Sequence, residues 1–168
     1  MQPKAIIVAG ANGAGKTTFA RNMLPLDHPE CGFFLNADEV QREAPQFASP
    51  FAAGREMLRR LEMHLTRTET FAIETTLSSG GYARQIPDWH KAGYAIWLYY
   101  LEVESAELSV ARVAQRVAAG GHGIPEHDIR RRVLRSAQLW PVYRALVDVW
   151  YHMKVDAKGT TLVGKNAP

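Results

Sequence analysis

Short apolar runs recur along the chain, and stretches with apolar residues at helical spacing lie between them. The first run, Ala5-Ile6-Ile7-Val8-Ala9, suits a strand buried on both faces of a parallel sheet. A helix is expected from Thr17 to Leu24, ended by Pro25. Gly32 punctuates the chain before a short strand at Phe33-Phe34-Leu35, and Pro45 and Pro50 bracket a loop. Residues 51–67 read as a helix with Met57, Leu61 and Leu65 on one stripe. Phe71-Ala72-Ile73 is the next strand, Gly80-Gly81 precedes a helix over 82–92, and Tyr94 to Leu101 form a long aromatic strand. Ser105 caps a helix that Gly120-Gly121 stops near Ala119. Pro125 starts another helix, with Glu126 and Asp128 in its first turn. A separate helix is expected over Val142 to Val149, then a strand over Trp150 to Val155 and one more over Thr160 to Val163. Strands alternating with helices imply a mostly parallel sheet with helices on both faces, whose ligands bind at the carboxyl ends of the strands. No repeat or low-complexity linker divides the chain, so residues 1–168 are expected to form one domain.

The first strand runs into Gly10-Ala11-Asn12-Gly13-Ala14-Gly15-Lys16-Thr17, which satisfies the pattern G-x-x-x-x-G-K-[ST] at every fixed position. Strand, glycine loop and helix together cradle phosphate. Backbone N–H groups turn inward, the helix N-terminus adds partial positive charge, Lys16 adds a full one, and the Thr17 hydroxyl is placed for Mg²⁺. The expected fold is therefore an α/β P-loop NTPase three-layer sandwich with a helical lid. Asn12, Gly13, Ala14, Gly15, Lys16, Thr17 and Thr18 are the expected nucleotide-binding residues.

Polar residues at the other strand ends carry the rest. Asp38 lies just past the second strand and Glu74 closes the third, followed by Thr75 and Thr76. A kinase needs a carboxylate to orient the acceptor hydroxyl and take its proton. From position alone, Asp38 serves equally well as a helix cap, and Glu74 as a solvated strand end. Indirect Mg²⁺ coordination is a third role for either. No Asp ends the long strand at Leu101, where Glu102 and Glu104 stand instead, so the usual second acidic signature is displaced or absent.

Charge changes the picture locally. The chain carries a formal net charge of only +3, too little to indicate a nucleic-acid surface. Between positions 112 and 135, however, six arginines face two acids. Arg112 and Arg116 share a helix face, and a glycine-rich loop separates them from Arg130, Arg131, Arg132 and Arg135. Helix, glycine loop and arginine helix is the build of a kinase lid, expected over about 112–135, which excludes water and brings guanidinium groups onto the transferring phosphoryl. A solvated helix face accounts for Arg132 and Arg135. No apolar run is long enough for a membrane span, and the lone Cys31 suits a reducing cytoplasm.

Taken in order, Ala11 to Thr18, Asn36-Ala37-Asp38-Glu39, Glu74-Thr75-Thr76-Leu77-Ser78, the Ala111 to Val117 segment, Gly120-Gly121-His122-Gly123-Ile124-Pro125-Glu126 and Ile129-Arg130-Arg131-Arg132 resemble the zeta-toxin family of P-loop kinases, in particular its short bacterial members with a Gly-Gly-His lid. The resemblance implies ATP- or GTP-dependent phosphorylation of a sugar hydroxyl, the family's acceptor being UDP-N-acetylglucosamine. It places the general base on Asp38, substrate binding on Glu74, Thr75 and Thr76, and a phosphate-sensing arginine on Arg116. It also implies a possible antitoxin acting in trans, because the chain starts only a few residues before its first strand. Where longer relatives carry a second lid arginine, this chain has Gly-His-Gly-Ile-Pro, which leaves His122, Arg130 or Arg131, with Arg112 nearby, as lid candidates. Relatives often end the last core strand with Asp-Asn-Ser, and here it is Val155-Asp156-Ala157. Rival readings are a kinase of an antibiotic, a nucleoside or a nucleic-acid 5′ end, and a nucleotide-regulated interaction protein that transfers nothing.

Overall fold

A computed structural model of the chain describes residues 2–37, 39–40, 50–121 and 123–167. Among these the elements run β1 (Lys4–Ala9), α1 (Lys16–Asp27), β2 (Phe33–Leu35), α2 (Pro50–Thr66), β3 (Phe71–Thr75), α3 (Gly81–Lys91), β4 (Ala95–Val103), α4 (Ala106–Ala118), α5 (Glu126–Leu146), β5 (Val149–Val155) and β6 (Thr160–Lys165). The strands form one sheet in the order β2-β3-β1-β4-β5-β6. Every pairing is parallel except β5 with β6, so the fold is α/β and mostly parallel, as the alternation of elements predicts.

The unbroken apolar run of β1 takes the centre. Its residues Ala5 to Ala9 have no solvent exposure. Odd and even side chains go to opposite faces, so each face of the sheet has its own core. Ile7, Ile73, Leu98 and Tyr100 meet Met57 and Leu61 of α2, Ile86 and Trp89 of α3, and Trp140 and Tyr143 of α5. Ile6, Val8, Ala72, Tyr99 and Leu101 meet Ala20, Met23 and Leu24 of α1. The stripe predicted on α2 packs as expected, with Leu65 half-buried at its end.

Two expectations are corrected, both at prolines. Helix α1 passes through Pro25 and ends at Asp27. Proline removes one N–H, but so close to the helix end the loss is a single bond, and buried Leu24 holds the turn while its carbonyl accepts from His28 N–H at 2.9 Å. The helix expected separately over Val142 to Val149 is instead the end of α5, which runs through Pro141, and Val149 opens β5. Trp140 and Tyr143, buried on either side of Pro141, anchor the continuous helix. The loop expected between Pro45 and Pro50 falls mostly outside the described residues. No helix among the described residues is long and apolar enough to cross a membrane.

Strand register sets the rim on which the site is built. Val8 lies opposite Glu74, and Leu35 lies opposite Ile73. The glycine loop after β1, Asn36 after β2 and the Glu74–Thr76 segment at the end of β3 therefore emerge side by side.

Candidate active site

The glycine loop closes tightly. Gly10 N–H donates to Thr75 O at 3.2 Å and Ala14 N–H to Ala11 O at 3.2 Å. Gly13 sits at φ 77°, and a Cβ there would lie 2.9 Å from the Ser109 carbonyl of α4. Only glycine meets both demands, so the loop packs directly on α4. Lys16 is almost fully buried, and its Nζ donates to Ala11 O at 3.1 Å.

Glu74 is the hub. Its Oε2 accepts from Thr17 Oγ1 at 2.6 Å and from Asn36 Nδ2 at 2.7 Å, and its Oε1 lies 3.6 Å from Lys16 Nζ. Asn36 is itself held, because its carbonyl accepts from Glu39 and Val40 N–H as the next helical turn begins. The reading of Glu74 as a solvated strand end is therefore corrected: its carboxylate is tied into the phosphate loop. Thr75 Oγ1 accepts from Leu77 N–H at 3.2 Å, and Thr76 and Ser78 hydroxyls lie 2.7 Å apart. Leu77 has φ 54°, an uncommon conformation for leucine, and its fully buried side chain holds the turn. Tyr143 of α5 donates to Ser79 O at 2.8 Å and fixes the same segment from the other side.

These groups line a cleft of about 710 Å³. Gly13 and Gly15 to Thr18 of the loop line it together with Glu74, Thr76, Ser78 and Tyr82, and Arg112, Arg116 and Arg132 reach it from α4 and α5. A volume of this order accommodates a nucleotide-sized ligand. Burial pushes the Tyr82 phenol up to about 12, so this side chain stays uncharged across the ordinary pH range.

The arginines sort differently from expectation. Arg116 lines the cleft near the end of α4, where Gly120 at φ 87° and Gly121 close a Schellman motif: Gly121 N–H donates to Arg116 O and Gly120 N–H to Val117 O, each at 2.9 Å. Arg112 bridges the loop to the end of β5, donating to Gly13 O at 3.4 Å and to Asp156 O at 2.7 Å. Asp156 in turn accepts from Lys158 and Gly159 N–H through Oδ1. Of the candidates on α5, Arg130 pairs with Glu107 and Glu126, Arg131 pairs with Asp128, and neither lines the cleft. The residue that does is Arg132, whose Nη1 donates to Asn12 Oδ1 at 3.0 Å. Its assignment to a solvated face is thus corrected. A helical wheel through buried Ile129, Ser136 and Tyr143 places position 132 on the inner half of α5, a signal that three consecutive arginines obscure. Asp38 and His122 lie outside the described residues.

Comparison with known proteins agrees with this architecture. The zeta toxin family model matches residues 1–157. A protein of Haemophilus influenzae is 26% identical over 136 residues, spanning 79% of this chain and 94% of its own length. Among solved structures, a chain of the PezAT chromosomal toxin–antitoxin system of Streptococcus pneumoniae is 18% identical and superposes with a TM-score of 0.63, covering 98% of this chain and 72% of that one. The AvrRxo1-ORF1:-ORF2 complex with ATP contains a chain 16% identical, with a TM-score of 0.74 over 98% of this chain and 58% of that one. With the glycine loop, the sheet order and the family match in agreement, the chain belongs to the zeta toxin family and is a P-loop kinase.

Proposed function

We propose that the enzyme transfers the γ-phosphoryl group of ATP or GTP to a sugar hydroxyl of a UDP-sugar such as UDP-N-acetylglucosamine. The observation that carries this reading is that one cleft joins a phosphate loop to a polar wall of Glu74, Thr76 and Ser78, with guanidinium groups of Arg116 and Arg132 bordering the same space. In this reading the cleft takes both a nucleotide phosphate chain and a hydroxyl-bearing acceptor. That the related AvrRxo1 complex was solved with ATP favours ATP as donor.

In this reading Lys16 and the loop amides fix the β- and γ-phosphates. The Thr17 hydroxyl is an oxygen ligand of the kind that suits Mg²⁺, and Thr17 would hold it. Mg²⁺, when bound, offsets negative charge on the phosphate oxygens. Glu74, Thr75 and Thr76 orient the acceptor. Its hydroxyl oxygen bonds to the γ-phosphorus as the bond from phosphorus to the β–γ bridging oxygen breaks, ADP or GDP departs, and the hydroxyl proton passes to the Asp38 carboxylate. Arg116 offsets the charge that spreads over the three equatorial oxygens. The segment over about 112–135 acts as the lid that keeps water from competing. An antitoxin binding in trans belongs to the same proposal, supported by the similarity to a chain of a toxin–antitoxin system. The reaction is placed in the cytoplasm, where Cys31 stays reduced.

Phosphorus NMR with Mg-ATP and a panel of UDP-sugars, nucleosides and 5′-hydroxyl oligonucleotides tests the proposal. A new phosphoester on a UDP-sugar is the expected result. A phosphoester confined to a nucleoside or an oligonucleotide end reassigns the acceptor. None with any acceptor, while ATP still binds, favours a nucleotide-regulated protein and overturns the transfer reaction.

A further inference from the structure

We infer that Tyr82 selects the acceptor, its phenol hydroxyl hydrogen-bonding to an uncharged polar group of the sugar. The inference rests on the UDP-sugar reading above and deepens it, naming a binding residue beyond Glu74, Thr75 and Thr76.

The placement begins in the sequence of α3. Tyr82, Ile86 and Trp89 stand at i, i+4 and i+7 and share one helix face. Ile86 and Trp89 are buried, and the Tyr82 ring packs against Trp89 with centroids 6.0 Å apart. Tyr82 belongs to the first turn of the helix, so its ring joins the edge of the core and also lines the cleft. The backbone leading into it is fixed, because the Tyr143 hydroxyl donates to Ser79 O at 2.8 Å and Leu77 is fully buried.

The hydroxyl is the unused part of this side chain. It forms no hydrogen bond with any described residue, although burial keeps the phenol neutral. A phenol both donates and accepts, and a desolvated hydroxyl gains when a ligand supplies its partner.

Charge around the cleft indicates which part of the acceptor reaches it. Lys16, Arg112, Arg116 and Arg132 line the cleft from the phosphate loop, α4 and α5. The described residues that line it after Glu74, up to the start of α3, are Thr75, Thr76, Ser78 and Tyr82, which bring hydroxyls and no cation. Phosphates seek the guanidinium and ammonium groups, and the neutral, hydroxyl-rich sugar suits the segment that carries hydroxyls.

The test compares the wild type with Tyr82→Phe, which keeps the ring on Trp89 and removes the hydroxyl alone. Initial rates with saturating Mg-ATP and varied UDP-N-acetylglucosamine are measured beside inhibition by UDP, which lacks the sugar. KM for the UDP-sugar is expected to rise about 5- to 100-fold, with kcat falling far less. The inhibition constant of UDP and the affinity for Mg-ATP are expected to stay at their wild-type values. An unchanged KM in Tyr82→Phe overturns the inference. So does an equal weakening of UDP, which would move Tyr82 to the nucleotide part, or a parallel loss of Mg-ATP affinity, which would make its role structural. Absence of product from the wild-type enzyme overturns the UDP-sugar reading and this inference with it, whereas wild-type turnover with an unaltered variant overturns this inference alone.

Discussion

The Arg132 guanidinium, on the second turn of α5, donates to the Oδ1 of Asn12 within the phosphate loop across 3.0 Å. The two residues are 120 positions apart. The contact puts a cation on α5 at the mouth of the donor site, from the helix that follows the glycine-rich loop. Arg130 and Arg131, its immediate neighbours, pair instead with Glu107, Glu126 and Asp128.

Arg132 is thereby separable from its neighbours by experiment. Arg132→Ala is expected to lower kcat about 10²- to 10³-fold, the usual loss when one donor to transition-state charge is removed. Arg132→Lys recovers only part, since a point charge does not replace a planar fork. Arg130→Ala and Arg131→Ala, which break exposed ion pairs, leave kcat within about threefold. Steady-state kinetics on the four variants decides the order, and equal losses at all three positions would return Arg132 to a general electrostatic role.

Asp38→Ala is expected to lower turnover about 10²- to 10⁴-fold while the nucleotide still binds, the signature of a lost general base. Calorimetric titration with ATP beside single-turnover kinetics distinguishes this from a structural or metal role, in which affinity and rate fall together.

Two glycines bracket the effect of a methyl group. Gly13→Ala forces a Cβ to 2.9 Å from the Ser109 carbonyl at φ 77°, and is expected to cost about 1–3 kcal/mol and to weaken nucleotide binding. Gly54→Ala, inside α2 with no atom within 4 Å of the added Cβ, is expected to raise stability by about 0.4–1 kcal/mol. Thermal unfolding of the pair against the wild type reads both signs.

His28 introduces a pH dependence away from the cleft, where the end of α1 packs on β1 and β4. It is buried, its Nε2 lies 2.9 Å from Tyr99 Oη, and its ring meets Trp97 edge-on. Burial, with Lys4 adding to it against the opposing pull of Glu30 and Asp27, holds its pKa below the ordinary histidine value. The unfolded chain therefore takes up the proton first as pH falls. The contribution of neutral His28 is complete above about pH 6.5 and is lost progressively below it, down to the depressed folded value. Melting temperatures between pH 8 and 5 should fall more steeply for the wild type than for His28→Gln, and parallel curves would remove His28 as the cause.

Much of this site was legible because its signals are local. The Gly10 to Thr17 pattern carries its own backbone requirements, and the Ser105 cap and the Gly120-Gly121 stop act within a single turn. Pro25 and Pro141 misled because a missing N–H removes one bond, whereas Leu24, Trp140 and Tyr143 bury enough surface to hold the helix through it. Glu74 was visible as a residue at a strand end but not as a partner of Thr17, since that contact spans 57 positions.

From the chain alone came the alternation of strands and helices, the phosphate loop and the set of polar residues at the strand ends. Each follows from periodicity or from backbone demands within a few residues. The tertiary structure decided which of those residues meet. Placing β3 rather than β2 beside β1 brings Glu74 to Thr17, and the rotation of α5 about its axis turns Arg132 inward and leaves Arg130 and Arg131 in solvent. Neither choice is written in local pattern, because strand order and helix rotation are set by how two cores, one on each face of the sheet, bury their side chains together.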